Sequence, residues 1–324
     1  MSNIGCPISY LMNRRWSSVG PDSHEERRAI LTWSKRLIHF GIVAIAILVP
    51  SSLVGQLSKA QSPLVPDGWY VYPANKLKNI DETTLQCFNN SHNEWRVSSE
   101  KGSLKIAQYV PQNYDDLPLP PMLKLEAGMP GRTIRAGLKS SIHFNNAWLL
   151  AYDAGEWGGG LWLSNEDGTK TKRIVSENVR TVVPFNGGVL VLSGLAHITM
   201  NFGNAFVLSN PDGMNISLEH AISLDGAPSA YSTESDGSIL FTTTYGLCRI
   251  TKTGELQRLF YWPNWTRQQY SNSISVIADG TVFIGMRMFV LKLSLSSGGY
   301  QEEWLLPNNC RTFSLREFDC VCRP

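Results

Sequence analysis

The stretch NNAWLLAYDAGEWGGGLWLSNEDG, residues 145–168, reads as a tight turn, a strand, a glycine-rich loop, a second strand and a second turn. Asparagine and glycine tolerate the positive φ that a two-residue hairpin turn needs, so Asn145-Asn146 and Gly168 mark reversals. AWLLAYD and GLWLS are apolar nearly throughout, as expected of strands covered on both faces. The same outline returns three times downstream. Calling the four strands of each unit A to D, the A–B turns fall at Asn145-Asn146, Gly187-Gly188, Asp236-Gly237 and Asp279-Gly280. The C–D turns fall at Gly168, Gly213, Gly254 and Gly298.

Those units recur about every 40–50 residues with four strands each, which is the spacing of a β-propeller. One such sheet cannot bury both faces alone, so the units must stack side by side around an axis. A β-sandwich also offers many short strands, but it does not repeat in so even a phase. The expected fold is therefore an all-β propeller of five four-stranded blades, with four or six also compatible. Residues 61–133 are less regular. Trp69–Tyr72 and Leu85–Phe88 read as A and B strands of the first blade, and the segments around Lys101-Gly102 as its C–D hairpin. Residues 117–121, LPLPP, read as a connector with a polyproline bias. The tail from Asn308 is expected to supply a closing strand to the first blade.

Charge is unevenly distributed. Residues 1–60 carry seven basic and three acidic side chains, which leaves 22 basic and 24 acidic in the remainder. A nearly neutral globular part argues against a nucleic-acid partner. Residues 1–36 read as a basic cytoplasmic leader. Residues 37–60 contain the apolar run FGIVAIAILV and read as a hydrophobic helix, either a signal peptide or a membrane anchor. A buried core helix is the alternative. Both leading readings export residues 61–324, the propeller domain, to the extracytoplasmic side.

Beyond Cys6 the chain has five cysteines, Cys87, Cys248, Cys310, Cys320 and Cys322, so at least one is unpaired or bonded between molecules. Cys310 and Cys320 flank a short segment and are candidates to close it in an oxidising compartment. Cys320-Val321-Cys322 lacks the spacer of redox and zinc motifs, and no metal site is expected.

The NEDG and NPDG turns make the repeat similar to the loosely defined β-propellers of exported bacterial proteins. The GH…WD pair of WD40 repeats is absent. This resemblance is one of architecture and implies no particular activity.

In such a fold the short A–B and C–D turns lie on one face, and the more variable B–C and D–A loops ring the channel mouth on the other. Those loops supply Asp153, Glu156, Trp157, His197, Tyr245, Trp262, Trp265, Arg267 and Arg287 as candidate binding residues. Aromatic rings beside charges suit a protein, peptide or glycan partner. Each also has a structural reading: Trp157 as packing on a neighbouring blade, Asp153 and Glu156 as turn caps, and Arg287 as an ion-pair partner of Asp153 or Glu156. There is no P-loop, G-x-S-x-G elbow, His-x-x-x-His or Cys-x-x-Cys. The glycine run lacks the strand-to-helix setting of a dinucleotide site, so no cofactor is expected. The functional expectation is a non-enzymatic binding or scaffold module. The alternative is an exported hydrolase or lyase using carboxylates at the channel mouth.

Overall fold

Reversals are where this chain is most constrained. The A–B turns take positive φ at Asn145 and Asn146 (45° and 61°), Asn186 and Gly187 (48° and 78°), Gly237 (87°) and Gly280 (83°). The second turn thus sits one residue earlier than expected, and Gly188 belongs to the following strand. The C–D turns use Gly168, Gly213 and Gly254, but the fourth uses Gly299 rather than Gly298.

The computed structural model describes residues 65–262, 270–316 and 319–323. The expected leader and hydrophobic helix (residues 1–60), Trp265 and Arg267 lie outside the described residues. Among the described residues, no helix is long and apolar enough to cross a membrane.

The described chain opens with strand β1 (Trp69–Val71), the short α1 (Ala74–Leu77), α2 (Glu82–Asn89) and the hairpin β2 (Trp95–Glu100) and β3 (Ser103–Gln108). Four antiparallel meanders follow. The first is β4 (Leu138–Phe144), β5 (Ala147–Asp153), β6 (Gly159–Asn165) and β7 (Thr171–Val175). The second is β8 (Val179–Phe185), β9 (Gly188–His197), β10 (Met200–Asp212) and β11 (Asn215–Leu224). The third is β12 (Pro228–Thr233), β13 (Ile239–Thr243), β14 (Gly246–Ile250) and β15 (Leu256–Tyr261). The fourth is β16 (Ser273–Val276), β17 (Val282–Gly285), β18 (Val290–Ser296) and β19 (Gly299–Pro307). A last hairpin, β20 (Thr312–Arg316) and β21 (Asp319–Arg323), pairs only with itself.

Most of the hydrophobic core lies between neighbouring sheets. Leu149, Leu161 and Leu163 of the first sheet pack on Val182, Val189 and Val191 of the second. Leu190 and Leu192 of the second pack on Ile239, Phe241 and Ile250 of the third. Leu240 and Leu247 of the third join Ile284, Leu291 and Leu293 of the fourth. Val97 of β2 closes onto Phe283, Val290 and Leu305 of the fourth. Apolar area removed from water between radially stacked sheets is what holds a propeller together. The chain therefore has β-propeller architecture, with the inner strands β2, β4, β8, β12 and β16 around a central channel.

The first sector differs from the sequence reading. Residues 82–89 are helical, because Asp81 accepts the Thr84 amide at 2.6 Å as an N-cap and the helix buries Cys87 and Phe88. The hairpin β2–β3 is an inner pair, not a C–D pair. Val97 N–H donates to Ser273 Oγ (2.9 Å), and Asn272 Nδ2 donates to the Trp95 carbonyl (3.0 Å). β1 is a fifth, outer strand on the fourth sheet, pairing Trp69 with Pro307 and Val71 with Leu305.

Disulfides join Cys87 to Cys320 and Cys310 to Cys322, which corrects the expected Cys310–Cys320 pairing. Alternate residues of a strand share a face, so Cys320 and Cys322 on β21 reach two different partners in the same layer. Cys248 is free and buried.

Candidate functional site at the channel mouth

A central cavity of about 1220 Å³ runs between the inner strands, and hydroxyls and charges dominate its wall. The described candidate residues of the B–C and D–A loops lie outside the cavity wall itself, and Asp153 reaches it through Arg180. The first of these loops, after β5, is held open by glycine. Gly155 (φ 62°) and Gly158 (φ 98°) flank Glu156 and Trp157, while Gly159 is packed so closely that a Cβ would meet the Tyr152 carbonyl oxygen at 2.4 Å. The result presents Trp157 to solvent, 79% exposed, so it does not pack on a neighbouring blade.

Asp153 ends β5 and is buried. Its Oδ1 accepts from Asn178 Nδ2 (2.7 Å) and the Gly155 amide (2.9 Å), and its Oδ2 faces Arg180 Nη1 at 2.9 Å. These contacts desolvate and satisfy the carboxylate, making Asp153 the support of the loop. Beside it, Glu177 accepts from Ser193 Oγ (2.6 Å) and from Asn204 Nδ2 (2.9 and 3.0 Å), tying the second sheet to the same loop layer.

Glu156 and His197 do meet, Oε2 to Nδ1 at 3.5 Å, both half-exposed. The second B–C loop is short. β9 and β10 continue to His197 and Met200, leaving Ile198 and Thr199 at the tip, with Ile198 82% exposed at φ 51°. Tyr245 turns β13 into β14 and stacks with Tyr261 at 6.4 Å between ring centroids.

Arg287 belongs to another sector. It donates to the Asn89 carbonyl (2.8 Å), lies 3.8 Å from Glu94 and sits over the Tyr270 ring at 5.0 Å. Its expected pairing with Asp153 or Glu156 is thus replaced by Glu94. Asp153, Glu156, His197 and Arg287 form separate pairs and no single constellation. Trp262, expected as an exposed contact, is 1% exposed: its amide donates to the Tyr245 carbonyl (2.8 Å) and its ring meets Phe260 edge-on. The indole is a core residue between the third and fourth sheets.

The channel wall holds residues that the loop reading passed over. Lys139 and Arg180 line it from β4 and β8, Ser229 from β12 and Arg96 from β2. The Lys139 ammonium lies over the Tyr114 ring at 4.8 Å. Burial pushes the Tyr114 phenol above its ordinary pKa, with Arg180 opposing and Asp153 adding to the shift, so it stays neutral at physiological pH. A signal existed in the sequence, since Lys139 and Arg180 occupy the same phase of successive repeats.

No family model matches the chain, and no curated protein matches it. Solved structures similar to it include a streptogramin B lyase, with 14% identity over 52% of this chain and 54% of that one at a TM-score of 0.35. Virginiamycin B lyase from Staphylococcus aureus has 14% identity over 65% and 69% at 0.35. The Pan2 WD40 domain of Neurospora crassa has 13% identity over 52% and 50% at 0.34. The chain spans about half the length of the first of these. At such identities and TM-scores nothing about chemistry transfers.

Proposed function

We propose that this protein is an exported propeller that binds a protein, peptide or glycan at the B–C/D–A end of its channel. The observation that carries this reading is the polar cavity of about 1220 Å³ together with the solvent-facing Glu156, Trp157 and His197 on the loops at that end. A wide, hydroxyl-lined channel, with an exposed indole on a loop of the same face, suits recognition of an extended polar ligand. Two disulfides support an oxidising compartment, consistent with residues 37–60 acting as a signal peptide or membrane anchor.

Affinity purification of the full chain from membranes, followed by mass spectrometry, tests the reading. Trp157→Ala combined with Tyr245→Ala should lose the captured partner. An exposed tryptophan contributes little to folding, so Trp157→Ala alone should leave stability within about 0.5 kcal/mol. Undiminished capture by the double variant would remove the mouth from consideration.

The Glu156–His197 contact favours a second reading, a hydrolase or lyase with that pair in acid–base roles. Asp153 is already committed to Arg180, Asn178 and Gly155 and would only support the loop. Turnover by the wild-type chain that vanishes in both Glu156→Gln and His197→Ala would favour this reading over simple binding.

A further inference from the structure

The inner strands depart from regular pairing at one level. In β4, Leu138 pairs with Tyr152 and Ser140 with Ala151, which leaves Lys139 as an extra, bulged residue. In β8, Val179 pairs with Ser193 and Thr181 with Leu192, which leaves Arg180 in the same place. In β12 the register shifts between Pro228 and Tyr231, so Ser229 and Ala230 fall within the irregularity. A β-bulge re-aims a side chain at the cost of a ladder position. Here three successive inner strands share the irregularity just after their first residue, and Lys139, Arg180 and Ser229 all line the channel. Arg96, the second residue of β2, lines it as well.

The charges at this level do not cancel. Among the described residues, neither Arg96 nor Lys139 has a carboxylate within ion-pair distance. The two acidic residues of the wall are already engaged: Glu94 with Asn272 Nδ2 (3.0 Å) and Arg287, Glu234 with two nitrogens of Arg249 (2.5 and 2.6 Å). Only Arg180 is countered, by Asp153. Alongside the cations stands a hydroxyl cluster. Ser229 Oγ lies 2.6 Å from Ser271 Oγ and 3.0 Å from Thr242 Oγ1, with Ser229 on the open side. Tyr231 and Tyr270 add half-exposed rings to the same wall.

We infer that the channel is a receptor for an acidic oligosaccharide, with Arg96 and Lys139 receiving its carboxylate or sulfate groups and the serine hydroxyls and tyrosine rings its sugar rings. This rests on the binding reading above and names the ligand class. Hydroxyl-dense walls with flat aromatic surfaces match sugar rings better than peptide side chains, which would call for apolar pockets. The two cations without a carboxylate at ion-pair distance supply a charge preference, because charge complementarity acts mainly on specificity and association rate.

Calorimetric titration of the full chain with tetragalacturonate, neutral maltotetraose and tetraglutamate tests the inference. Tetragalacturonate should bind best, and its affinity should fall as salt rises. Arg96→Glu combined with Lys139→Glu should weaken it roughly tenfold or more. Lys252→Glu, outside the channel, should leave it unchanged. The salt dependence of the unaltered chain gives a second measurement should the double variant fold poorly. Equal binding of maltotetraose would overturn the acidic preference, and preference for tetraglutamate would overturn the sugar class. Failure of all three probes would overturn the inference. The mouth would then still stand if Trp157→Ala with Tyr245→Ala abolished partner capture.

Discussion

Asp153 shows how a single residue changes meaning between the chain and the fold. Its place beside glycines suggests chemistry, yet its carboxylate is spent on Arg180, Asn178 and the Gly155 amide. Asp153→Ala should cost about 2–3 kcal/mol, seen as a lower urea midpoint, because an amide, a side-chain donor and a guanidinium lose their acceptor. Trp157 and Trp262 make the complementary point. Both tryptophans fall in loops of the same face, and it is the packing of Trp262 into the core between the third and fourth sheets that separates a buried ring from an exposed one. Cys248 behaves as a core residue, with burial pushing its thiol up to about 11. Iodoacetamide at neutral pH should leave Cys248 unmodified in the native chain and alkylate it after denaturation, as mapped by peptide mass.

At the scale of the element, adjacent glycines perform different tasks. Gly187 needs positive φ but has open space around it, whereas a Cβ on Gly188 would meet the Leu208 carbonyl oxygen at 2.3 Å. Gly187→Ala should cost about 1 kcal/mol through backbone strain. Gly188→Ala should cost more, because β9 and β10 must separate, and thermal denaturation of the two variants will order them. The turn aspartates add a pH dependence. Backbone amides of Thr169, Ser238 and Thr281 lower the pKa values of Asp167, Asp236 and Asp279. A carboxylate with a depressed folded pKa stabilises above its unfolded value, near 4, and that stabilisation is lost as pH falls through the folded value. The urea midpoint should therefore drop from pH 5 to pH 3, and less so in the triple Asp→Asn variant. These turns were legible in the sequence because positive φ and carboxylate-to-amide bonds are local. The bulges at Lys139 and Arg180 were not, since a bulge exists only relative to the partner strand.

For the molecule as a whole, both ends of the described chain are fastened at the fourth sheet. β1, from the start of the described chain, completes the outer edge of the fourth sheet. Helix α2 is joined to β21 by Cys87–Cys320, across 233 residues of sequence. Cross-linking so long a loop restricts the unfolded chain by about 5 kcal/mol in the chain-entropy model, against about 3 kcal/mol for the 12-residue separation of Cys310–Cys322. Cys87→Ala with Cys320→Ala should therefore lower the melting temperature more than Cys310→Ala with Cys322→Ala. Reducing agent should affect the wild type more than the first pair of substitutions. A larger loss from the short loop would mean that the tail hairpin, not the link from α2 to β21, dominates.

The order of the amino acids was enough for the repeat, its four strands and its turns, and hence the propeller, because strand alternation and glycine placement are properties of neighbouring residues. It could also name the loops of one face. Packing decided that the helix at residues 82–89 lies against the fourth sheet, that β2 lines the channel, and which cysteines pair. It also decided which loop residues stand exposed. Those outcomes depend on what lies across a sheet interface, and contacts between residues far apart in the chain leave no local mark on the sequence.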